Sequence, residues 1–195
     1  MPEISCAPRF PVTLLAVAAL TSASAAQAAE PGTDPVPDAV RALAGCWSGT
    51  GQVMGKSVAI RLAGRAILLD ALFAVDVDSH ARDDATDRYA AHLLFGAGEP
   101  AKNDPTPPPT APRPLSGFWA DSFGGRFTAT GAGNTRPDGF DIVYRYPDAQ
   151  YINRWRLNGP DLRWDIAAQD AAGQEKPFAR YTLAKIACPA PSPRP

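Results

Sequence analysis

The chain has 195 residues, and its 20 acidic side chains nearly balance its 19 basic ones, for a formal charge of −1. So even a balance offers no broad field for nucleic acid or an anionic membrane surface, and nucleic acid is not expected as a partner. The length suits one domain with a full core.

Residues 1–28 read as a secretory signal peptide. Arg9 precedes the apolar run "FPVTLLAVAAL", and small residues follow as far as Ala26-Gln27-Ala28. The run is too short for a permanent membrane span. Cys6 lies ahead of it, where no lipid-attachment cysteine would stand. The mature chain is expected to begin near Ala29 and to be periplasmic or secreted. Residues 29–37 form a flexible leader, and Asp38 caps a short helix over "AVRALAG", closed by Gly45.

From Cys46 the apolar pattern has period two, broken by turn residues every eight to twelve positions. Strands are expected near 46–54, 57–63, 66–77, 88–96, 115–122, 125–131, 139–146, 150–157, 161–168 and 177–186. Turns such as "RPDGF", "NGPD" and "DAAGQ" supply the residues that tight reversals need. Short consecutive connections make an antiparallel meander, hence an all-β, up-and-down barrel of about ten strands. Residues 97–114, "AGEPAKNDPTPPPTAPRP", interrupt the rhythm as a proline-rich loop, and 189–195 form a disordered tail, so the barrel domain is 38–188.

Two cysteines survive processing, Cys46 opening the first strand and Cys188 following the last. In an oxidising compartment they are expected to pair, and a disulfide makes the first and last strands neighbours, which closes the barrel.

Alternation then sorts side chains by face. Phe140, Ile142, Tyr144 and Tyr146 share one face with Tyr151, Asn153, Trp155 and Leu157, and with Leu162, Trp164 and Ile166. Asp141, Arg145, Arg154, Arg156, Arg163 and Asp165 take the other. A charged outer face is the reverse of an outer-membrane barrel.

These residues also carry a resemblance. "LAGCWSGTGQV", "GFWADSFGG" and "GFDIVYRYPDAQYINRWRL…LRWDIAAQD…GQEKPFARYTL" resemble an uncharacterised bacterial family of calycin-like barrels, over most of residues 40–187. Such barrels are similar to lipocalins, fatty-acid-binding proteins and haem-binding nitrobindins. The resemblance implies small-molecule binding. A nitrobindin-like haem site needs a histidine near the C-terminus, and none follows His92. Haem is therefore not expected, and no other cofactor or metal is.

The ligand-binding candidates are Trp119, Asp121, Tyr144, Asn153, Trp155 and Trp164: aromatic surface with a few directional groups. Their ligand would be a small hydrophobic or amphipathic molecule. The same aromatics could instead simply fill the barrel. Weak catalytic candidates are His92, on one face with Ala90 and Leu94, and Asp121. "DVDSHARDDATD", residues 76–87, imitates a calcium loop through Asp76, Asp78, His80, Asp84 and Asp87. It lacks the glycine at position 6 and the glutamate at position 12, and reads as a solvated acidic hairpin loop. Three functions stay open: a lumen ligand binder, an enzyme of isomerase or hydrolase type in the same cavity, and a filled barrel acting through its surface.

Overall fold

A computed structural model describes residues 35–99, 111–123, 128–147 and 149–190. The signal-peptide segment, residues 29–34 of the leader, most of the proline-rich loop and most of the tail lie outside the described residues.

After a four-residue helix, α1 (Asp38–Arg41), ten strands follow in order. They are β1 (Gly45–Val53), β2 (Lys56–Ile67), β3 (Leu72–Ala81), β4 (Arg88–Ala97), β5 (Pro114–Asp121), β6 (Thr128–Arg136), β7 (Gly139–Arg145), β8 (Gln150–Asn158), β9 (Asp161–Gln169) and β10 (Glu175–Ile186). Each pairs antiparallel with its chain neighbours, and β1 pairs with β10 from Cys46–Ile186 to Val53–Ala179, so the sheet is a closed barrel with no free edge. Cys46, the first paired residue of that seam, is disulfide-bonded to Cys188 just past its other strand, with Cα atoms 5.0 Å apart and a sequence separation of 142. The covalent link therefore holds together the strand pair that has the largest loop to close.

Several boundaries differ from the sequence reading: β6 runs from Thr128 to Arg136 rather than over 125–131, and Asp38 is the first residue of a shorter helix, without a side-chain cap bond. Two further differences concern turns. The run "AILLDALF" suggests a strand beginning at 66, but β2 continues to Ile67 and β3 begins at Leu72. Leu68, Leu69 and Asp70 all take the left-handed conformation, with φ of 51°, 55° and 67°. Two leucines thus form an exposed turn. It is held by the Val36 amide, which donates to the Asp70 carbonyl at 3.1 Å, and by an Arg41–Asp70 ion pair. The second difference concerns 76–87. Asp76, Asp78 and His80 belong to β3, and only the stretch after Ala81 turns. Asp76 and Asp78 project outward to Arg65 and Arg88, as part of a set of ion pairs that includes Arg154–Glu175 and Arg180–Asp165.

The inward positions divide the barrel lengthwise. At the end where β1 starts and β10 finishes, Trp47, Phe73, Phe95, Leu115, Phe140, Trp155 and Leu162 are almost wholly buried. The segment carrying Val36, Val40 and Leu43 packs into that end, and the Trp47 indole donates to the Leu43 carbonyl at 2.9 Å, which fixes it there. At the opposite end the hairpin turns surround an open cavity.

Candidate functional site

The cavity has a volume of about 760 Å³. Its base is a cluster of rings. Trp155 and Trp164 are register partners on β8 and β9, and their side chains stack at 4.1 Å with an interplanar angle of 15°. Trp155 is also stacked on Phe140 and belongs to the filled half, whereas Trp164 borders the cavity. Trp164 thus separates the two halves. Its indole N–H donates to Asn153 Oδ1 at 2.9 Å, and Asn153 Nδ2 donates to the Tyr151 carbonyl at 3.3 Å. A fully buried asparagine satisfied in this way orients the indole that forms the base.

Tyr144 lies beside it on β7, in edge contact with Trp119 at 5.3 Å. Its ring rests against two glycines. A Cβ at Gly131 would stand 2.8 Å from Tyr144 Cδ1, and one at Gly117 would stand 2.9 Å from the Tyr144 hydroxyl. Gly117 of β5 and Gly131 of β6 leave the room that this tyrosine occupies. The Tyr144 hydroxyl is buried and has no hydrogen-bond partner among the described residues. Trp155 Nε1 is in the same position inside the aromatic stack of the filled half.

Asp121 ends β5. Its Oδ2 accepts from Trp119 Nε1 at 3.2 Å and from the Tyr89 hydroxyl at 3.4 Å, and its Oδ1 accepts from the Phe123 amide at 3.0 Å. The last contact comes from the turn that ends the strand, so one carboxylate both closes that turn and presents charge to the cavity. Tyr146, Tyr151 and Phe178 continue the wall, with Tyr151 in edge contact with both of the others at 5.3 and 5.0 Å. Phe178 reaches this position because β10 shifts register between Pro177 and Ala179; proline is tolerated in a strand at such a bulge. At the rim Met54 and Phe123 are exposed, and Lys56 pairs with Asp87.

All five tyrosines of the chain line this cavity. Burial, and then the Asp121 carboxylate, raise the Tyr89 phenol above its ordinary value. The same two causes push Tyr146 up to about 12, with Tyr151 contributing. Tyr144 and Tyr181 are raised chiefly by burial. These four hydroxyls therefore stay neutral and able to donate at ordinary pH.

Of the residues singled out in sequence, Trp119, Asp121, Tyr144, Asn153 and Trp164 meet at the cavity. Trp155 does not line it and instead packs behind Trp164. His92 is on the outer face, where Nδ1 lies 2.6 Å from Asp76 Oδ1, because the inward parity of β4 is Tyr89, Ala91, Leu93 and Phe95. A lumen acid–base role for His92 is incompatible with that placement. Sequence reasoning did not single out Tyr89, Tyr181 or Phe178. The two tyrosines were accessible through alternation along β4 and β10, but Phe178 depends on the bulge.

No protein-family model matches the chain, and no curated protein sequence is similar to it. Among solved structures it is similar to Rv2717c from M. tuberculosis, with a TM-score of 0.56 and 12% identity, covering 77% of this chain and 99% of that one. At that identity the likeness is one of fold. No helix among the described residues is long and apolar enough to cross a membrane.

Proposed function

We propose that this protein is an exported, calycin-like barrel that binds a small, partly apolar molecule in the open half of its lumen. The observation that supports the reading best is the division of the lumen: one half is solid, while the other keeps about 760 Å³ lined by aromatic rings and a few directional polar groups. A volume of that size lies within the range of small-molecule sites. The buried, unpartnered Tyr144 hydroxyl adds to this, since such a group costs about 1–3 kcal/mol unless something bonds to it. Export is supported by the Cys46–Cys188 bridge, which persists in a non-reducing compartment. Calycin-like membership rests on the closed ten-stranded barrel and the sequence motifs. No cofactor is proposed.

Native mass spectrometry of the mature protein taken from the periplasm tests the reading. The expected result is a reproducible added mass that is lost on denaturation, with Nile red binding to the emptied protein. A bare mass together with no Nile red binding would overturn it.

A further inference from the structure

Among the described residues, the ionisable side chains around the cavity, besides the tyrosines, are Lys56, His80, Asp87 and Asp121. Lys56 and Asp87 bond to each other at the rim, where both are about half exposed, so their charges cancel locally and are screened. The remaining formal charge belongs to Asp121. Its three hydrogen bonds come from an indole N–H, a phenol and a backbone amide, all neutral. They orient the carboxylate and leave its charge in place, and it forms no ion pair among the described residues. A carboxylate has about four lone-pair positions, so a further donor is accommodated on Oδ1.

We propose that the ligand is an organic cation, a protonated amine on an apolar body, with its ammonium group at Asp121 and its body among the tyrosine and tryptophan rings. The proposal rests on the lumen-binding reading above and adds the charge of the ligand to it. Three features point the same way. Indole and phenol rings attract cations through their faces; Tyr89 and Trp119 stand at the carboxylate, and Tyr146 lines the same cavity. The field of Asp121 also reaches the phenols of Tyr89 and Tyr146, where it adds to the effect of burial, so the negative potential extends across the wall. An anionic ligand would have to approach a carboxylate that no cation among the described residues compensates, in a partly desolvated site, which disfavours it. The Tyr144 hydroxyl, deeper in the same cavity, suits a polar atom at the other end of the molecule.

The test uses three probes with one body and different charges: 4-phenylbutylamine, 4-phenylbutan-1-ol and 4-phenylbutanoate. Each is titrated at pH 7 into the mature, oxidised protein, followed by tryptophan fluorescence. The amine is expected to bind roughly 10-fold or more tightly than the alcohol, as one charge-assisted hydrogen bond provides, and the carboxylate most weakly. Asp121→Asn should bring the amine to within about 3-fold of the alcohol, since the amide keeps the shape and loses the charge. If that variant does not fold, the wild-type series decides by itself. Nile red binding with no advantage for the amine would overturn the charge assignment and leave lumen binding standing. A bare native mass, no Nile red binding and no binding of any probe would overturn both.

Discussion

The two ends of the barrel are built from the same ten strands and share the same alternation, yet one is solid and the other hollow. Their aromatic residues differ in kind. The solid end uses Trp47, Phe73, Phe95, Phe140 and Trp155, rings that need few or no polar partners. The hollow end holds every tyrosine of the chain, each with a hydroxyl that requires a partner in protein, water or ligand. Phenylalanine maximises dispersion in a close-packed interior, whereas tyrosine suits a surface that is apolar along its flank and polar at its tip. The end chosen for filling is also the end where the segment before β1 packs and the disulfide ties β1 to the residues after β10, so these fastenings lie away from the opening.

If the solid end carries the stability, breaking it should cost most. Replacing Cys46 and Cys188 by serine removes a cross-link over 142 residues. The expected loss is up to about 5 kcal/mol, read as a lower urea midpoint against the oxidised protein. Trp155→Ala should follow, at about 3–5 kcal/mol by the same measurement, because the stack between Phe140 and Trp164 loses its middle ring. Tyr151→Ala, on the cavity wall and only partly buried, should cost less than half as much; equal losses would erase the distinction between the ends.

Tyr144→Phe should change sign. Removing a buried hydroxyl that has no partner is expected to leave the ligand-free protein unchanged or up to about 1 kcal/mol more stable. A clear destabilisation would mean that the hydroxyl is already satisfied in the ligand-free barrel.

The tyrosines give the contrast a pH dependence. Tyr89, Tyr144, Tyr146 and Tyr181 are raised in the folded state, so their burial contributes fully below the unfolded value near 10. Above it the unfolded chain ionises first, and stability falls as pH rises. Absorbance at 295 nm should show Tyr146 titrating near 12, and Tyr89, Tyr144 and Tyr181 ionising only as the barrel opens. Early ionisation of these four phenols would contradict a closed, desolvated wall. The smallest effect belongs to the outer face: His92→Gln removes an exposed contact with Asp76 and should change stability by less than about 1 kcal/mol, with no effect on ligand affinity.

Much of this architecture was legible in the chain. Alternation from Phe140 to Ile166 assigns each residue to a face correctly, because the charged residues of β7, β8 and β9 all share one parity. Around His92 the signal is weaker, since Arg88 and His92 mark the outer parity of "RYAAHLLFG" but Ala90 and Leu94 between and beyond them are as apolar as the inward residues. The turn at Leu68–Asp70 was hidden for a related reason: leucines at a left-handed reversal look like strand interior. Phe178 was out of reach because a bulge shifts the period by one residue.

The sequence by itself determined the strand rhythm, the parity of most strands and the closure of the barrel through Cys46 and Cys188, since these follow from period-two chemistry and from cysteine count. Only the tertiary structure decided where the lumen is full and where it is open. Free volume depends on how side chains from strands distant in sequence meet across the barrel: Trp155 against Trp164 and Phe95, and Tyr144 against Gly117. No local pattern records those meetings, because they are set by the register of every ladder at once.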